Sequence, residues 1–185
     1  MRVFGFRILD RREPGGYTSG VDLWLMRHAE AEDRAASGRD EDRRLTARGV
    51  AQATAAGRCL SSLQPDLRLI LTSPYRRARE TSEAVARELP GSCDLREEPS
   101  LEPGGDADFV LSALEEIVED RVLLVGHAPL LGVLLGRLVT GDPGREIPLG
   151  KAGIAAVAIE EGALRARLLV FLSARVIERL AGRLL

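Results

Sequence analysis

Three short apolar runs constrain the fold most strongly: VDLWLM at 21–26, LRLILT at 67–72 and RVLLVG at 121–126. Each has strand length, and the segments between them carry apolar residues at helical spacing. Thr46 can cap a helix with Val50, Ala53, Gly57 and Leu60 on one face. SPYRRARETSEAVAREL (73–89) reads as a helix with Pro74 near its first turn, where a missing N–H costs nothing. DADFVLSALEEIV (106–118) and the mostly buried PLLGVLLGRLV (129–139) follow the same pattern. Residues 152–172 read as two strands turning at Glu161 and Gly162, before a short C-terminal helix. Repeated strand and helix alternation predicts an α/β fold with helices on both faces of a sheet.

At 185 residues the chain has length for one domain, placed at 21–185, with a core that needs no disulfide or metal. Residues 1–20 end in PGGYTSG and read as an extension with a short edge strand at VFGFRIL. Val21 would equally make a natural chain start. The net charge of −2 offers neither a basic footprint for nucleic acid nor a polybasic membrane patch. No apolar run reaches transmembrane length and the leader lacks a signal-peptide core, so a cytoplasmic location is expected. Cys59 and Cys93 form no disulfide framework, which suits a reducing compartment. Neither fits a cysteine phosphatase, since the position six residues on, where an arginine would hold phosphate, is Pro65 or Pro99.

The chain has two histidines, His28 and His127, and each lies just beyond the end of an apolar strand. The second strand delivers Ser73 and the Arg76–Arg77 pair in the same way. In open α/β sheets ligands bind at the carboxyl ends of strands, so three polar segments converge where a site belongs. Taken singly, a histidine is more often packing, and an arginine more often solvated surface, in a chain whose 26 basic residues include a single lysine, Lys151. Two histidines at strand ends, one preceded by Arg27, are harder to explain as packing.

RHAEAE, LTARGVAQA, SPYRRARET and LVGHAPL, in that order, resemble the signatures of the histidine phosphatase superfamily with its phosphoglycerate-mutase-like fold. With LEPGGD and the short length, the chain most resembles SixA-type phosphohistidine phosphatases. The resemblance implies a three-layer α/β/α domain with a mostly parallel mixed sheet. It implies that His28 accepts the phosphoryl group, that Arg27 and Arg77 clamp the phosphate and that His127 is the second histidine. Arg77 is the arginine followed by Ala, which leaves Arg76 at the surface, and Arg43 of the RRLT segment is expected to reach the pocket. Planar guanidinium forks neutralise equatorial phosphoryl oxygens in bidentate geometry, so no metal or other cofactor is expected. Attack needs neutral imidazole, and Arg27 and Arg77 should lower the pKa of His28. Glu102 is read either as general acid or as loop surface, and Asp106 as a helix cap.

The implied substrate is a phosphohistidine in a protein, favoured by the short stretch between Arg77 and His127; a small phosphoester, as for a phosphomonoesterase or mutase, is the alternative within the superfamily. Three readings lie outside it. His28, Glu30, Glu32 and Asp33 could ligate Mg or Mn. DADFV matches an aspartyl-nucleophile string but follows EPGG rather than an apolar strand. The same arginines could also serve a non-catalytic phosphate-binding module.

Overall fold

The computed structural model describes residues 20–63, 66–160 and 165–182. The expected extension at 1–20, apart from Gly20, and the expected turn at Glu161–Gly162 lie outside the described residues. The elements are β1 (Gly20–Arg27), α1 (Ala47–Leu63), β2 (Leu69–Thr72), α2 (Arg76–Ala86), β3 (Asp94–Glu97), α3 (Ala107–Glu115), β4 (Arg121–Gly126), α4 (Leu130–Thr140), β5 (Ile154–Glu160), β6 (Arg167–Leu172) and α5 (Ala174–Ala181). Short 3₁₀ turns occupy Asp40–Asp42 and Pro99–Leu101. No helix among the described residues is long and apolar enough to cross a membrane.

The sheet runs β3-β2-β4-β1-β5-β6. β3, β2, β4 and β1 are mutually parallel, while β5 and β6 complete the sheet in antiparallel fashion. This is the mixed three-layer α/β/α arrangement expected from the sequence. Side chains alternate across it. Leu23 and Leu25 join Leu69, Leu124, Leu131 and Leu134 in a core beneath α3 and α4. Trp24 and Met26 join Ile70, Leu123, Ala53 and Ala78 on the other face, beneath α1, α2 and α5. Each fully buried leucine or isoleucine contributes roughly 1.5–3 kcal/mol by leaving water.

Four local expectations need correction. β3 was not expected: its sequence, DLRE, is polar and largely exposed, so it carries no hydrophobic signal and is defined by backbone pairing to β2. α2 starts at Arg76, with Tyr75 at its N-cap, so Pro74 precedes the helix rather than entering it. α3 stops at Glu115, short of Val118. On α1 the buried stripe runs through Gly49, Gln52, Ala53, Ala56, Gly57 and Leu60, which leaves Val50 46% exposed. The Thr46 cap is present, its hydroxyl accepting from Gly49 N at 3.0 Å.

α1 bears directly on the segment after β1. Thr46 N donates to Glu30 O at 3.0 Å, and a Cβ on Gly49 would lie 1.9 Å from that same carbonyl oxygen. Gly49→Ala is therefore expected to destabilise the fold by roughly 1–3 kcal/mol, the usual cost of overpacking, as measured by urea unfolding.

Candidate active site

β1 and β4 are neighbours, and both histidines are the first residues past their carboxyl ends. The parallel pairing continues one bond beyond the strands: His28 N donates to Gly126 O at 2.9 Å, and Ser73 N, past β2, donates to Val125 O at 2.9 Å. Three chain reversals thus stand level.

Consecutive strand residues point to opposite faces, so Arg27 and His28 can converge only where strand geometry ends. The two donors after His28 are taken by side chains from the helices. Ala29 N donates to Thr81 Oγ1 of α2 at 3.1 Å, and Glu30 N to Gln52 Oε1 of α1 at 3.1 Å. From the other side, Ala152, in the left-handed region at φ 53°, donates its N–H to the carbonyls of Arg27 and His28 at 3.1 and 3.2 Å.

The structure brings His28, His127, Arg77 and Arg27 together. His28 is 6% exposed, His127 3% and Arg77 4%. The imidazole centroids lie 4.9 Å apart at 55°. His28 Nδ1 donates to Ala29 O at 2.7 Å, and since a carbonyl only accepts, the neutral ring carries its proton on Nδ1 and its lone pair on Nε2. His127 Nε2 shares a 3.0 Å hydrogen bond with Ser73 Oγ. Tyr75 stands edge-on to His127 at 5.3 Å and beneath the Arg77 guanidinium at 4.8 Å. Arg27 donates to Leu149 O at 3.3 Å through Nη1, while its Nε is buried without a partner among the described residues.

Arg76, next to Arg77, points elsewhere, pairing with Glu80 at 2.8 Å. Arg77 instead reaches Asp40: Nη1 donates to its carbonyl at 2.8 Å and Nη2 to its carboxylate at 3.0 Å. Asp40 also accepts from Arg43 Nη1 at 2.8 Å, so Arg43 adjoins the cluster through Asp40 rather than through a histidine. Sequence reasoning missed Asp40, because RDEDRR reads as a solvated charge run. It missed Tyr75 and Thr81 too, whose contacts depend on where α2 begins.

Glu102 is half-buried just past the 3₁₀ turn and lines an open depression with Glu98, Ser100 and Phe109, a lining that contains neither histidine. Asp106 caps α3, accepting from Asp108 N at 2.8 Å. Glu30 is engaged by Thr46 and Glu32 by Arg44 N. Among the described residues no three His, Cys, Asp or Glu side chains gather as a metal site.

Burial is the largest influence on both imidazoles. It lowers His28 to about 4, opposed by the Ala29 carbonyl and assisted by Arg77, Arg27 and Lys151. It lowers His127 to about 3, assisted by His28 and Arg77 and opposed by the Asp40 carboxylate. The arginines lower the His28 pKa as expected, but rank behind desolvation and the Ala29 carbonyl. Two adjacent imidazoles within the electrostatic reach of two guanidiniums suit an oxyanion held against a nucleophilic nitrogen.

A model of the histidine phosphatase superfamily (branch 1) matches residues 23–102. An uncharacterised protein of Picosynechococcus sp. is 35% identical over 152 residues, 78% of this chain and 88% of its own length. Phosphohistidine phosphatase SixA of Escherichia coli is 32% identical over 127 residues, 66% of this chain and 76% of its own. A solved structure of the protein histidine phosphatase SixA complexed with tungstate superposes with a TM-score of 0.74 at 28% identity, covering 85% of this chain and 99% of that one.

An unfolded histidine takes up its proton near pH 6.5, whereas these two resist it down to about 4 and about 3. Below pH 6.5 the unfolded chain therefore binds more protons, and acidification destabilises the fold by roughly 1.4 kcal/mol per histidine per pH unit. Above pH 6.5 neither contributes. Thermal unfolding midpoints should fall more steeply between pH 6.5 and 4.5 in the wild type than in His28→Asn or His127→Asn.

Proposed function

The chain belongs to the histidine phosphatase superfamily, as a SixA-type phosphatase, and from that premise we propose that it hydrolyses phosphohistidine in a protein through a covalent intermediate on His28. The observation that carries this reading is the His28 Nδ1 to Ala29 O hydrogen bond, which leaves Nε2 as a free lone pair beside two guanidiniums.

In the first step Nε2 of His28 attacks phosphorus; the new P–N bond forms as the substrate's P–N bond breaks. The substrate imidazole, protonated beforehand on its other nitrogen, departs neutral. Arg27, Arg77 and His127 hydrogen-bond the equatorial oxygens, and the buried, unpartnered Nε of Arg27 gains an acceptor. In the second step water attacks phosphorus, the P–Nε2 bond breaks, and phosphate and a proton leave. Because Ala29 O keeps Nδ1 protonated, the intermediate is a phosphoimidazolium whose P–N bond cleaves readily. The charge neutralisation comes from side chains, which makes the chemistry metal-independent.

Two observations favour a protein-borne phosphohistidine over an alkyl phosphate. The segment from α2 to β4 holds only β3, one 3₁₀ turn and α3, a connection with no long insertion to fold as a lid against a large donor. A neutral leaving imidazole also needs no general acid, so the reading does not depend on Glu102, which lines a depression whose lining includes neither histidine. The related Escherichia coli protein carries the name phosphohistidine phosphatase. The tungstate in the related solved structure is an oxyanion of phosphate shape.

Rapid denaturation during turnover of a phosphohistidine protein, with chelator present, should trap acid-labile, alkali-stable label on the wild type and none on His28→Ala. Label on the variant would refute His28 as acceptor, loss of turnover in chelator would refute metal independence, and faster turnover of alkyl phosphates would refute the substrate. Arg77→Lys should lose turnover by orders of magnitude, since a point charge cannot reproduce the bidentate fork. Arg76→Lys should change it little.

A further inference from the structure

Resting on the reading of Arg77 as a phosphate clamp, we propose that Asp40 is the positioning residue of that clamp: it fixes the Arg77 guanidinium in plane and joins Arg43 to it. A guanidinium has five N–H donors in a rigid fork. Asp40 takes one from each terminal nitrogen of Arg77, through its carbonyl at 2.8 Å and its carboxylate at 3.0 Å. Three donors, including Nε–H, remain for phosphoryl oxygens. Tyr75 packs against the guanidinium face at 4.8 Å, so one contact limits tilt and the other limits rotation.

The 3₁₀ turn that carries Asp40 has ties besides this carboxylate. Ser37 Oγ donates to Asp42 at 2.7 Å, Arg39 pairs with Glu41, and Arg43 N closes the turn on Asp40 O at 3.3 Å. One carboxylate oxygen of Asp40 pairs with Arg43 at the end of the same turn, and the other leaves the turn for Arg77. An ion pair at a half-exposed carboxylate adds little stability by itself. Here its partner is a guanidinium whose side chain is 5% exposed, at the centre of the cluster. The arrangement sets an angle more than it supports the fold. The Asp40 carbonyl survives any substitution, so removing the side chain loosens Arg77 without releasing it.

The test is a double-mutant cycle read in two ways, by the Kd for tungstate and by kcat/KM on a phosphohistidine protein. Asp40→Ala should weaken tungstate binding and lower kcat/KM by about tenfold, within the range for directly contacting residues, at a nearly unchanged thermal midpoint. Asp40→Asn, which keeps one acceptor, should fall between. In an Arg77→Ala background Asp40→Ala should add no further loss. Unchanged binding and turnover in Asp40→Ala would overturn the proposal, as would an equal loss in both backgrounds, because Asp40 would then act without Arg77. If Asp40→Ala unfolds, Asp40→Asn carries the same cycle. A silent Arg77→Ala would instead strike at the clamp itself, leaving the phosphoenzyme test of His28 to stand or fall separately.

Discussion

The site depends on one backbone hydrogen bond beyond the sheet, from His28 N to Gly126 O at 2.9 Å. It holds the end of β1 level with the end of β4 while strand alternation is being lost, which lets Arg27 and His28 turn toward one point. Everything else at that point is arranged around it: Thr81 and Gln52 take the next two donors, and Ala152 takes the carbonyls. Without level strand ends, the two imidazoles could not stand 4.9 Å apart.

Burial then determines the chemistry. Guanidiniums stay charged when desolvated and imidazoles do not. The same loss of water that keeps His28 and His127 neutral leaves Arg27 and Arg77 as permanent positive charge in a confined space. The tetrahedral anion of the proposed reaction would resolve that imbalance and meet a nitrogen lone pair in doing so. Asp40 partly offsets the charge from the outer side and raises the His127 pKa against the prevailing trend.

The sequence was legible where hydrophobic pattern and polar interruption coincide. VDLWLM, LRLILT and RVLLVG announce core strands, and the polar residues that end them mark the edge of the sheet where the candidate site lies. The distinction between Arg76 and Arg77 was legible only through resemblance; in the structure it follows from helix phase, which turns Arg77 inward and gives Arg76 to Glu80. β3 was illegible because a mostly exposed four-residue strand with a single apolar residue, Leu95, shows no period. Asp40 was illegible for a different reason. Its partner lies 37 residues away in sequence, and one acidic residue in a charge run looks like the next.

The contact that sets the tautomer of His28 is made to a main-chain oxygen, that of Ala29. Many histidines are oriented by an aspartate or glutamate, which mutation can delete. Every residue type carries a carbonyl, so no single base change at Ala29 can remove this acceptor; it can only move it. In mutational scanning, position 29 should accordingly tolerate or reject side chains by volume alone, given its fully buried methyl group, and not by hydrogen-bonding capacity. The tautomer of this imidazole is thereby encoded in the path of the chain.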